Sequence, residues 1–226
     1  MEKAKTNKIF DLGIDFSNKK PIEIARDIFI FFITFCIFGW IFEVLLFIIE
    51  DHIIVNRGVL FGPWLPIYGV GGMVITLLFF RTKNKQIRLK RINIRPVIIY
   101  LESCIFATMV ELVSTYIMDF TGGNFKNLWD YSNEFLNFQG RIALIPDLKF
   151  GFAALFAIYI VQPVLKSVIE SKKQKTLNIF TICIFILFIT DVIARIWLGN
   201  NFIREQNGLE LPFGPVSYTH LRAHET

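Results

Sequence analysis

An all-α bundle of about five membrane-spanning helices, with its N-terminus in the cytoplasm, is the architecture this sequence predicts, and three observations predict it. The 226-residue chain is 54% hydrophobic and carries 25 Phe, more apolar surface than a soluble domain of that size hides in a core, so lipid must cover the rest. That surface is gathered into five apolar stretches, at 28–49, 64–80, 97–118, 148–169 and 177–198. The net charge of +5 comes from Lys and Arg residues clustered between those stretches, which is the positive-inside distribution and not the footprint of a nucleic-acid binder.

The arm 1–27 holds Lys3, Lys5, Lys8, Lys19, Lys20 and Arg26 and reads as cytoplasmic. It is mostly polar, and the apolar run after it is too long for the h-region of a secretory signal, so that run is expected to stay as an anchor. The stretch 28–49 spans about 33 Å as a helix, enough for a hydrocarbon core of about 30 Å. The stretch 64–80 reaches only about 25 Å and contains Pro66, Gly69, Gly71 and Gly72, so a re-entrant hairpin and a crossing both fit it. The segment 81–95 favours a crossing, because its seven Lys or Arg residues belong in the cytoplasm.

The other three stretches are long enough to cross, the fourth with Pro163 near its end. The connection between the last two is basic (Lys166, Lys172, Lys173, Lys175). Arg57 alone marks the first connection, and only Lys126 and Arg141 mark the long third one. These charges place the first and third connections, and the segment 199–215, outside. The final residues, 216–226, read VSYTHLRAHET, which looks like the conceptual translation of a sequencing adapter. They are set aside, and the natural C-terminus is expected to differ.

Glu43, Glu111 and Asp191 lie deep inside apolar stretches, where a charge costs about 2.5 to 3.5 kcal/mol even on lenient insertion scales. Each is either a paired or hydrogen-bonded helix contact or part of a polar site in the outer half of the membrane. Asp191 and Arg195, four residues apart, are placed to pair along one helix face. Glu43 and Glu111 have no base one helical turn away, so their partners must come from another segment, with Arg57 and Arg141 as the candidates. Glu102 and Glu111 are nine residues apart and face opposite sides of their helix.

Two outer strings stand out. The first runs Gly39-Trp40, Glu43, Asn56-Arg57-Gly58, Gly62-Pro63 and Pro66-Ile67-Tyr68-Gly69; the second runs Trp129-Asp130-Tyr131-Ser132, Asn137 and Gly140-Arg141. Asn56-Arg57-Gly58 joins a turn-former, a guanidinium fork and a residue free to take positive φ, which suits backbone folded around an anion or carboxylate. It equally suits an interfacial turn with a snorkelling Arg. Trp129 and Tyr131 fit an aromatic belt, which does not account for Asp130 between them. The expected substrate-binding set is Glu43, Asn56, Arg57, Glu111, Trp129, Asp130, Tyr131, Asn137 and Arg141.

No catalytic, cofactor or metal set is expected. His52 beside Glu50 and Asp51 makes a weak metal site, because consecutive residues point different ways. Cys36, Cys104 and Cys183 match no zinc or redox spacing and read as packing residues. Gly69, Gly71 and Gly72 match neither GxGxxG nor GxxxG and read as close helix packing.

In combination the two strings resemble the ABC-transporter type IV permease family, small bacterial multipass membrane proteins, over residues 36–165. Ala143 and Phe150 depart from it, standing where that family usually has Cys and Trp. The resemblance implies a permease of the bacterial cell membrane that draws its energy from a separate ATPase. No GxxxxGK[ST] phosphate loop occurs in the chain itself. The segment 81–95 is a candidate dock for that ATPase, and as a bare run of charge it suits anionic inner-leaflet lipid as well. Two other classes remain open. One is an integral-membrane enzyme acting on a lipid-linked or cell-envelope substrate, with Glu43 or Glu111 as general acid or base. The other is a non-transporting sensor or assembly subunit whose acids hold helices together.

Overall fold

The computed structural model describes residues 13–198, except 15, 51, 55, 59, 86, 90, 91 and 128, together with 209–210. Most of the arm, most of the segment 199–215 and the adapter-like tail 216–226 lie outside the described residues. Five helical rods form: α1 (Pro21–Glu50), α2 (Pro66–Asn84), α3 (Arg95–Phe120), α4 (Leu144–Phe156) continuing through a π-helical turn (Ala157–Val161) into α5 (Gln162–Ser171), and α6 (Gln174–Leu198). The chain is thus an all-α membrane bundle, and four of the rods are long and apolar enough to cross by themselves. α2 is one unbroken helix and not a re-entrant hairpin; its 19 residues rise about 28 Å, and its last turn carries Lys83 and Asn84.

Short strands mark the connections. β1 (Ile53–Ile54) pairs antiparallel with β4 (Leu209–Glu210), bringing the segment after α6 back to the α1–α2 connection. β2 (Arg88–Leu89) and β3 (Ile92–Asn93) close the α2–α3 connection as a hairpin.

Proline punctuates the rods as its chemistry requires. Pro66 and Pro96 sit in first turns, where a missing N–H is not needed. Pro163, by contrast, falls inside the fourth rod. It has no N–H to give the Tyr159 carbonyl and its ring crowds that oxygen, and the backbone widens into the π turn just before it. The Lys83 ammonium reaches in from α2 and donates to Ile158 O at 2.8 Å and to Gln162 Oε1 at 3.0 Å.

α1 runs through the centre of the bundle. It buries Phe31, Ile33, Phe35 and Cys36 to 1% exposure or less, and packs most extensively against α2. Glycine lets the two backbones approach. A Cβ at Gly39 would run into the Tyr68 ring, one at Gly69 into Cys36 and Phe32, and one at Gly72 into Phe35. Gly71 departs from the expectation, since nothing lies within 4 Å of where its Cβ would be. The outward faces of α3 and α6 remain apolar and bare, with Ile105 62% and Ile186 57% exposed, as a lipid-facing surface requires.

One end of the bundle gathers the arm, the α2–α3 hairpin and the α5–α6 turn. There Asp27, fully buried, accepts from Lys19 at 2.6 Å and from the Arg26 guanidinium at 2.7 Å. Arg26 in turn donates to Gln174 at 2.5 Å and Asn178 at 2.8 Å on α6. Arg26, read in the sequence as part of the basic arm, therefore ties the start of α1 to the start of α6. The α1–α2 and α3–α4 connections occupy the opposite end.

Candidate functional site

The α1–α2 connection is held down by its own polar residues. Trp40 Nε1 donates to Asn56 Oδ1 at 2.7 Å, and Asn56 Nδ2 donates to Phe61 O at 3.0 Å, so Asn56 closes the turn instead of facing a ligand. Gly58 takes φ +91°, which lets the chain reverse directly after Arg57. The Arg57 Nε donates to Glu43 Oε2 at 2.9 Å, and the guanidinium lies over the Phe47 ring, 4.3 Å from its centroid. Of the two bases offered as partners, Arg57 is the one that takes Glu43. The carboxylate that the Asn-Arg-Gly turn wraps is the protein's own.

Asp191 is held by contacts beyond its own helix. Its carboxylate reaches across from α6 and accepts from Phe61 N at 2.9 Å, Gly62 N at 2.7 Å and Trp64 Nε1 at 2.6 Å. The reason is geometric: two adjacent backbone N–H groups and an indole N–H converge where a half-buried carboxylate fits, and such bonds are stronger than neutral ones.

The α3–α4 connection is also self-bonded. Asp130 accepts from Ser132 N at 3.0 Å and from the Ser132 hydroxyl at 2.5 Å, with Lys126 Nζ 3.1 Å away. These contacts, led by the Ser132 hydroxyl, hold the exposed Asp130 carboxyl below its ordinary range. Asn137 donates to Ser132 O and Glu134 O and accepts from Gly140 N at 3.2 Å. Gly140 takes φ +68° with Ser132 and Asp130 packed where a Cβ would go. Arg141 pairs with Asp119 at 2.5 Å, its guanidinium 4.5 Å from the Tyr116 centroid and 4.4 Å from that of Phe125. Arg141, the other candidate base, is thus committed to Asp119 and not to Glu43 or Glu111. Trp129 Nε1 donates to Arg141 O at 3.0 Å, which orients the indole.

Glu111 finds a phenol instead of a guanidinium: Tyr131 Oη donates to its Oε1 at 3.2 Å. Burial first, and then the Glu111 carboxylate, push the Tyr131 hydroxyl well above its ordinary range, so it is a donor at any physiological pH. Behind Tyr131 the carboxyl groups of Glu111 and Asp147 face each other. Glu111 Oε2 and Asp147 Oδ1 are both buried with no hydrogen-bond partner among the described residues.

Between the two connections lies a cavity of about 380 Å³. Of the expected set, Glu43, Arg57, Trp129 and Tyr131 line it, while Glu111 sits behind Tyr131. Asn56, Asp130, Asn137 and Arg141 do not line it; they shape the connections that frame it. The sequence reading missed Glu50, Tyr68, Glu134, Lys149 and Phe150, which also line it. Lys149 is salt-bridged to Glu50, and Tyr68 approaches Glu43. Tyr68 and Phe150 were within reach of the sequence, since both fall at positions of the recognised strings. Glu50, Lys149 and Asp147 carried no such signal, because they sit at helix ends where surface charge is ordinary.

No curated protein and no solved structure matches the chain. A family model does match, over residues 30–196, which takes in both connections and all or most of each helix. The chain belongs to the family described as "Putative ABC-transporter type IV".

Proposed function

We propose that this protein is the membrane-spanning, permease-like subunit of a transporter whose ATPase is a separate chain, and that the cavity between the two connections holds the solute. The observation that carries this reading is the cavity itself: ionisable groups of α1, the first connection, the second connection and α4 converge on one space of about 380 Å³, within the size range of small-molecule sites. Membership of the family supports the transporter reading, and with no GxxxxGK[ST] loop in this sequence the reading assigns ATP hydrolysis to a separate chain.

In this reading the basic end faces the cytoplasm, following the positive-inside rule, and the cavity opens to the opposite side. The hairpin of β2 and β3 stands in the basic segment 81–95, where an ATPase docks. An enzyme is less well supported, because the Glu43 carboxylate is already engaged by Arg57.

Two measurements test the proposal. Affinity purification from native membranes is expected to bring down an ATPase at near-stoichiometric yield, with ATP hydrolysis raised by the presence of this chain. Single cysteines at Glu134 and Ile54 are expected to label in intact cells, and one at Lys173 only after permeabilisation. Recovery of the chain without any ATPase, or labelling that puts Ile54 and Glu134 on opposite sides, overturns it.

A further inference from the structure

The walls of the cavity favour one charge type. Its two bases are already committed: Arg57 to Glu43 and to the Phe47 ring, Lys149 to Glu50. An incoming anion would have to displace a carboxylate that the protein holds in place. The acids are in excess, since Glu134 also lines the cavity, is exposed, and makes no ion pair among the described residues. Glu111 and Asp147 stand behind Tyr131 with their carboxyls facing each other, outside the cavity lining, so the excess rests on Glu134. The remaining wall is aromatic: Phe42, Tyr68, Trp129, Tyr131 and Phe150.

Aromatic walls with an excess of acid attract cations. The π-face of Trp, Tyr or Phe draws an ammonium within about 6 Å of its centroid, and the attraction grows as water is excluded. The carboxylates add a field of the same sign, while a low-dielectric wall keeps it from being screened. We propose that the cavity binds an organic cation, a small amine or quaternary ammonium, with the aromatic side chains holding its alkyl groups and the acids its charge. This deepens the permease reading by naming the class of solute, yet binding itself needs neither the ATPase nor transport.

The test is calorimetric titration of the purified full-length chain in detergent with three probes of one shape: choline, its neutral isostere 3,3-dimethylbutan-1-ol, and the anion 3,3-dimethylbutanoate. Choline is expected to bind at least about tenfold more tightly than the alcohol, with no heat from the anion. Phe150→Leu, which removes a ring but no hydrogen bond, is expected to weaken choline about three- to tenfold, and Glu134→Gln about threefold. Equal binding of choline and the alcohol, tighter binding of the anion, or no choline binding up to about 50 mM in folded protein overturns the inference. Choline bound as expected but no ATPase recovered leaves this site standing and removes the permease reading. A recovered ATPase with no choline binding does the reverse.

Discussion

Arg57 donates its Nε to Glu43 Oε2 across 2.9 Å, joining the turn after α1 to the helix it has just left. The two side chains are 28% and 22% exposed, so the pair is sheltered without being sealed. Removing either partner leaves the other charge at the lip of the cavity without its counterion. A double-mutant cycle with Glu43→Gln and Arg57→Gln is therefore expected to give a coupling of about 1 to 2 kcal/mol in detergent unfolding. Glu43→Gln and Glu111→Gln are each expected to abolish function while membrane insertion stays normal, because each swaps a titratable group for a near-isostere. Activity retained in both would reduce these acids to structural contacts.

Asp191 clamps α6 to the first connection, because three N–H donors converge on it. Asp191→Asn puts an amide N–H against one of those donors and removes the charge from the others. The expected loss is about 2 to 3 kcal/mol, read as a lower melting temperature in detergent. A loss under about 0.5 kcal/mol would mean that α6 is held mainly by its apolar contacts.

The glycines of α1 and α2 make a paired prediction. Gly39→Ala forces a methyl into the Tyr68 ring and is expected to cost about 1 to 3 kcal/mol, with Tyr68 displaced from the cavity wall. Gly71→Ala meets open space inside a helix and is expected to be neutral, or stabilising by up to about 1 kcal/mol. Equal effects of the two on thermal unfolding would contradict the close α1–α2 contact.

Asp130 gives the second connection a pH dependence. Its carboxyl titrates lower in the folded protein than in an unfolded chain, so the folded state binds that proton more weakly. The resulting stabilisation is present above the ordinary aspartate range of about 4 and is lost as pH falls through the lower folded value. Limited proteolysis between residues 121 and 143 is expected to accelerate on acidification below about pH 4, and Asp130→Asn to be equally susceptible at pH 7. A cleavage rate indifferent to both would show that Asn137 and Gly140 hold the loop unaided.

Much of this was legible in the sequence. Hydropathy adds up residue by residue, so the five rods and their approximate ends follow from composition alone, since an apolar run of that length must form its hydrogen bonds as a helix. That Glu43 needs a base from another segment was legible for a related reason: an acid in an apolar run without a base one turn away has to find one elsewhere, and Arg57 and Arg141 were on offer. The tertiary structure alone decided which faces meet. Helices apolar on every side carry no stripe to mark the inward face, so nothing local told Arg141 to take Asp119, Asp191 to take the 61–64 turn, or Asp147 to stand against Glu111. Rotation and neighbour choice are settled by packing between rods, where Gly39 and Gly69 allow contact and Gly71, on the same helix as Gly69, does not take part.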